Sequence, residues 1–144
     1  MAKTNVSSID IEDHDGSTGG LYLAGTLVTA LPAEINNNFD FETAQAITTT
    51  GAVITVKNGI CTIAGSGILA STIAQPVNVT DDFKRLKIIA IAAYAHTVTI
   101  PATGWGGNTA LTVATFSGVV GDTMDLIAHG GVWYVTNVHQ VTFA

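Results

Sequence analysis

The chain has 144 residues, enough for one domain with a real core and too few for two of ordinary size. Only 11% of them are Asp, Glu, Lys or Arg, against roughly 25% in an ordinary soluble domain. The net charge of -6 and the five basic residues argue against a phosphate-gripping nucleic-acid surface, and a mean hydropathy of +0.42 suggests apolar surface covered by neighbouring subunits, the alternative being a monomer with a Thr-rich, uncharged coat.

Cys61 stands alone, so no intrachain disulfide forms and a disulfide-stapled secreted scaffold is excluded. The opening Met1-Ala2-Lys3-Thr4-Asn5 has no apolar signal core. The longest apolar run, Ile88 to Ala95, is eight residues where a bilayer span needs roughly twenty. The expectation is a protein made in the cytoplasm that engages neither membrane nor nucleic acid.

Residues 1–45 differ from 46–144 and are expected to form an arm or small subdomain ahead of a β domain. They hold seven of the eleven acids: Asp10, Glu12, Asp13, Asp15, Glu34, Asp40 and Glu42. The run Asp10-Ile11-Glu12-Asp13-His14-Asp15-Gly16 gathers carboxylates around an imidazole. As a calcium loop it fails, because Ile11 stands at the first ligand position and Tyr22 at the twelfth, where a bidentate Glu is needed. It reads instead as a solvated acidic arm, or one that docks on a basic partner surface. Short strands are expected around Leu21 to Leu23 and Thr26 to Val28. A turn or two of helix follows, capped by Thr29, with Pro32 in its first turn and Glu34 near the positive end of its dipole.

From Thr48 onward the pattern is β, rich in Val, Ile and Thr and punctuated by glycine. Val53 to Ala64 reads as a hairpin about a type I′ turn at Asn58-Gly59, pairing Ile54 with Ile63 and Val56 with Cys61 on one face and Thr55 with Thr62 on the other. Gly65-Ser66-Gly67-Ile68-Leu69-Ala70 matches the dinucleotide pattern G-x-G-x-x-A formally. Ser71 to Pro76 is a poor helix, however, so a tight glycine turn is the reading and no cofactor is expected. Asp81 to Lys87 reads as a solvated loop in which Asp81 and Asp82 offset Lys84, Arg85 and Lys87. Leu86 to Ala95 reads as a strand buried on both faces, because β-branched Ile88, Ile89 and Ile91 outweigh a weak helical stripe. Further strands are expected at 96–100, with Val98 and Ile100 inward, and at 110–116, 123–128, 132–138 and 140–143. The last long pair hinges on Gly130-Gly131. Such a set of short strands makes an all-β sandwich or jelly roll, or a small barrel.

His14, His96, His129 and His139 lack zinc spacing, no serine sits in a nucleophile elbow, and no acid–base pair stands in a defensible context, so no catalytic residue, metal site or enzymatic activity is expected. Trp105, in the flexible Gly104-Trp105-Gly106-Gly107-Asn108, has two open readings: a plug over one end of the sandwich, or a contact aromatic.

Gly20 to Asn36 (Gly-Leu-Tyr-Leu-Ala-Gly-Thr-Leu-Val-Thr-Ala-Leu-Pro-Ala-Glu-Ile-Asn) resembles a segment common in structural proteins of tailed bacteriophages, departing from it at Leu31-Pro32 and Ile35. Gly121 to Thr136 resembles the phage pattern of a Gly-Asp turn, an apolar strand, a Gly turn and a Trp-Tyr-Val strand. His96 to Gly104 looks like the strand before it. The resemblance covers roughly half the chain and implies a capsid decoration (cement) protein on the outer surface of the virion. Its partners would be the major capsid protein and further copies of itself, as a homodimer or homotrimer. Asp10, Glu12, Asp13, Asp15, Tyr22 and Trp105 are the candidate interface residues. The alternative is a tail- or head-fibre module that binds a host receptor or glycan through Trp105 and the glycine loops.

Overall fold

The computed structural model describes residues 42–144, together with the backbone of two short strands further upstream. These two, β1 (Tyr22–Leu23) and β2 (Thr26–Leu27), pair antiparallel where the sequence places a short hairpin. The expected helical turn at Thr29 to Glu34 and the acidic residues Asp10, Glu12, Asp13 and Asp15 lie outside the described residues. The chain divides at Asp40/Phe41. Glu42 and its neighbours, which the sequence groups with the arm, form the first strand of the β unit.

That unit is a sandwich of two five-stranded mixed sheets, neither closed into a barrel. Sheet I has the order β11-β10-β7-β5-β3, comprising β3 (Glu42–Ile47), β5 (Gly59–Ile63), β7 (Arg85–Ala90), β10 (Thr123–His129) and β11 (Val132–His139). Sheet II has the order β12-β9-β8-β6-β4, comprising β4 (Val53–Ile54), β6 (Ala70–Ile73), β8 (Thr97–Thr99), β9 (Val113–Phe116) and β12 (Val141–Phe143). From β3 to β8 consecutive strands alternate between the two sheets, so β3, β5 and β7 stack parallel in sheet I while β4, β6 and β8 stack parallel in sheet II. This is a coil of three rungs rather than the antiparallel connectivity of a jelly roll. Antiparallel β9, β10, β11 and β12 then complete both sheets.

Strict alternation of apolar and polar residues drives the packing, because side chains of period 2 put one set between the sheets. In β7 Leu86, Ile88 and Ala90 are buried while Lys87 and Ile89 are half-buried, so this strand faces the core on one side only, not on both as expected. Register lines the buried residues up across the sheets: Ile47, Ile63 and Ala90 form one row, and Cys61, Ile88 and Met124 another. Trp133, fully buried, joins the two sheets by donating its indole N–H to the Ala74 carbonyl at 3.0 Å.

The hairpin expected at Asn58-Gly59 does not form. Ile54 pairs with Ile73, Cys61 stands between Gln45 and Ile88, and Ile63 stands between Ile47 and Ala90. A type I′ turn needs positive φ at both central residues; Gly59 has φ 146° and Asn58 is not among the positive-φ residues. Asn58 instead ties three rungs. Its carbonyl accepts from Glu42 N at 2.7 Å, its N–H donates to Glu42 Oε1 at 3.0 Å, and its Oδ1 accepts from Arg85 N at 3.0 Å. The glycine pair at Gly130-Gly131, with φ of 58° and 78°, does make the tight turn the sequence assigns it. At Gly65 a Cβ would lie 2.6 Å from Leu69 Cγ, so the G-x-G motif is a corner packed against its own downstream leucine.

Candidate interaction surface

The two outer faces of the sandwich differ in kind. The strands of sheet II contain no Asp, Glu, Lys, Arg or His, and their outward positions are Thr, Val and Ala. Across this face Ala70, Thr97, Thr115 and Thr142 form one row, and Val53, Thr72, Thr99 and Val113 a second. Sheet I carries all the charges of the sandwich strands. Lys87 and Asp125 pair at 3.0 Å across β7 and β10, over a groove of about 530 Å³ also lined by Ile60, Arg85, Ile127 and Thr136. Arg85 and Lys87 therefore belong to a strand, not to the solvated loop expected for them.

Among the described residues, a side chain or loop bonds to the outer backbone at each end of the stack. The carbonyls of Ala52 and Ile54 accept from Thr72 and Ala74 in the β6 segment, so by alternation Val53 and Thr55 present their backbone to the free edge. The Gln45 carboxamide meets them there, donating to Val53 O at 2.8 Å and accepting from Thr55 N at 3.0 Å, as one peptide unit of a further strand would. At the opposite end Gly106 N donates to Trp133 O at 2.9 Å, and Trp105 lies 4% exposed with its ring 5.9 Å from that of Phe143. Trp105 is thus packed within this chain, as its plug reading has it. Tyr22, the other candidate contact aromatic, lies in β1.

A framework of side-chain hydrogen bonds and ion pairs holds the connection from β6 to β7. Asp81, 7% exposed, accepts from Val77 N at 2.7 Å and from Lys84 Nζ at 2.9 Å, while its own N–H donates to Val77 O. Burial pushes the Asp81 carboxyl up, but the Val77 N–H and the Lys84 ammonium outweigh it and hold the pKa below the ordinary value. Asp82 accepts from Gly130 N at 2.8 Å and faces His129 Nδ1 at 3.2 Å, clamping the loop to the β10–β11 turn. Within this frame Val79 and Phe83 take φ of 70° and 67°. Such a conformation in a non-glycine residue costs on the order of 1–3 kcal/mol, and β-branched Val is especially ill suited to it. Yet Val77, Val79 and Phe83 are 58%, 79% and 69% exposed. The Phe83 ring stacks on His129 at 5.6 Å. Sequence reasoning missed this feature, since Asp81-Asp82 marks a loop but nothing local says that its apolar residues face outward.

Among the described residues no group of three or more His, Cys, Asp or Glu is placed to hold a metal ion, and no helix is long and apolar enough to cross a membrane. Cys61 is fully buried, and burial pushes its thiol up to about 11 against a smaller opposing pull from Lys57. No protein-family model and no curated protein matches the chain. Among solved structures, it is similar to a chain in the structure of a chaperone-substrate complex, with a TM-score of 0.42 and 15% identity. The match covers 69% of this chain and 18% of that one, so the chain spans under a fifth of that chain's length.

Proposed function

We propose that the chain is a non-catalytic structural protein of a tailed-bacteriophage particle, a decoration protein that binds the outside of the capsid and stabilises it. The observation that carries this reading is the charge-free threonine face of sheet II. The cores of protein interfaces are depleted of charged residues, because burying a charge costs desolvation that its partner does not reliably return. A five-stranded face without a single charge suits lateral packing against neighbouring copies or shell subunits. The phage-like segments at Gly20 to Asn36 and Gly121 to Thr136 supply the setting. A ligand that binds only the assembled shell stabilises it by its binding free energy, and many modest contacts on a symmetric surface act together.

A fibre module is the second reading, favoured by the coil of parallel rungs. The Gln45 carboxamide on the β4 edge and Gly106 on the β11 edge occupy positions where a further strand would pair, which weighs against a shaft that continues by adding rungs. Copy number in purified particles decides between them, by quantitative mass spectrometry referenced to the major shell protein. Hundreds of copies, near one per shell subunit, are expected for decoration; a handful would make it a fibre part, and none would sink both.

A further inference from the structure

The loop from Gln75 to Lys84 is held on every side yet offers its apolar residues to water. Asp81 closes it internally, Asp82 fastens it to Gly130 and His129, Gln75 Nε2 donates to Gly131 O at 2.8 Å, and Phe83 N donates to Ala128 O at 2.7 Å. Backbone strain falls on Val79 and Phe83, the two most exposed large apolar side chains among the described residues. Neither gains burial in this chain that would offset it. A segment ordered and strained before binding loses little freedom when a partner arrives, so the stability given up in the free protein returns as affinity. Both carboxylates of the loop are turned to partners within the chain, Asp81 to Lys84 and Asp82 to the Gly130 N–H and His129, which leaves the outward side chains apolar.

We propose that Val77, Val79 and Phe83 form a preorganised docking knob that inserts into an uncharged, apolar cleft of a shell subunit. This rests on the decoration reading, and it separates the molecule's two contacts: the threonine face for neighbours, the knob for the shell. Neither the arm nor Trp105 is needed for it.

The test uses the full chain and particles stripped of it. Binding is read by co-sedimentation, and Tm is measured on the free proteins. Val79→Gly removes the strain and the side chain together; it should raise Tm by about 3 °C or more while weakening binding. Phe83→Asp should leave Tm within about 2 °C of the parent and weaken binding by more than about tenfold. Val79→Asn, which puts a polar residue tolerant of positive φ in place of an intolerant one, should raise Tm and weaken binding. Parent-like binding by all three variants, or a lower Tm for Val79→Gly, overturns the docking knob. Parent protein that does not bind the particles overturns the decoration reading and the knob with it.

Discussion

His96 is fully buried, and its Nδ1 accepts the Leu69 N–H at 3.1 Å, a bond that only the neutral ring can make. Burial drives its pKa below the ordinary value, with the Ala92 backbone pulling weakly the other way. The unfolded chain therefore takes up a proton near pH 6.5 that the folded chain refuses, and stability falls as pH drops below that point, by up to about 1.4 kcal/mol per pH unit from this one group. Asp81 has the opposite placement. Its lowered carboxyl keeps its full contribution down to the ordinary carboxylate value and loses it as pH falls on through the folded-state value, so the loss that sets in near pH 6.5 belongs to His96 rather than to Asp81. Urea midpoints at pH 7.5, 6.5 and 5.5 should fall in that order, and the slope should flatten in His96→Gln. An unchanged midpoint would show that the ring is protonated or freed in the native state. Cys61 was legible as a core residue because it falls on the apolar beat of a strand. His96 was not, because a polar side chain on an inward position looks like any loop histidine until its partner, Leu69 on the neighbouring rung, is known.

At the level of elements, local pattern gave the faces and withheld the partners. Ile54, Cys61 and Ile63 are all buried, as the supposed hairpin had them, yet none pairs as that hairpin required. An alternating strand satisfies a parallel neighbour as well as an antiparallel one, and only the turn geometry distinguishes them. Gly130-Gly131 permits positive φ twice without cost, so that hairpin forms; Asn58 has a competing use for its side chain. Replacing Asn58 with Ala leaves the Arg85 N–H without its acceptor and should cost about 1 kcal/mol. Chemical denaturation would show it as a lower midpoint at unchanged m. A neutral substitution would mean that water replaces the amide oxygen fully. The sequence pattern reads Asp81 to Lys87 as a solvated loop, whereas only Asp81 to Lys84 lie in the connection between β6 and β7, and there Asp81 and Asp82 turn inward to hold the backbone while Phe83 turns outward.

For the molecule as a whole, the two-layer β architecture followed from composition and spacing, while the three-rung coil did not. Its rungs carry no sequence repeat and unequal spacing, Glu42 opposite Gly59 and Gly59 opposite Leu86, so no period betrays them. The coil also sets where the fold is strongest. β7 has β5 on one side and β10 on the other, whereas the two-residue β4 lies at an edge and is paired only with β6 within its sheet. Amide exchange at Ile88 should be slower than at Val53 by at least about a thousandfold, the span between global unfolding and local fraying. Comparable rates at the two would mean that the rungs do not open independently. The order of strands along sheet I, β3, β5, β7, then β10 and β11, is also the order in which a ribosome delivers them. Each rung thus meets a predecessor that already exists, and the unpaired edge advances with synthesis instead of waiting for the end of the chain. Exposure to stray strand pairing moves with the newest edge until the closing hairpin emerges and Gly106 bonds the Trp133 carbonyl on its outer strand.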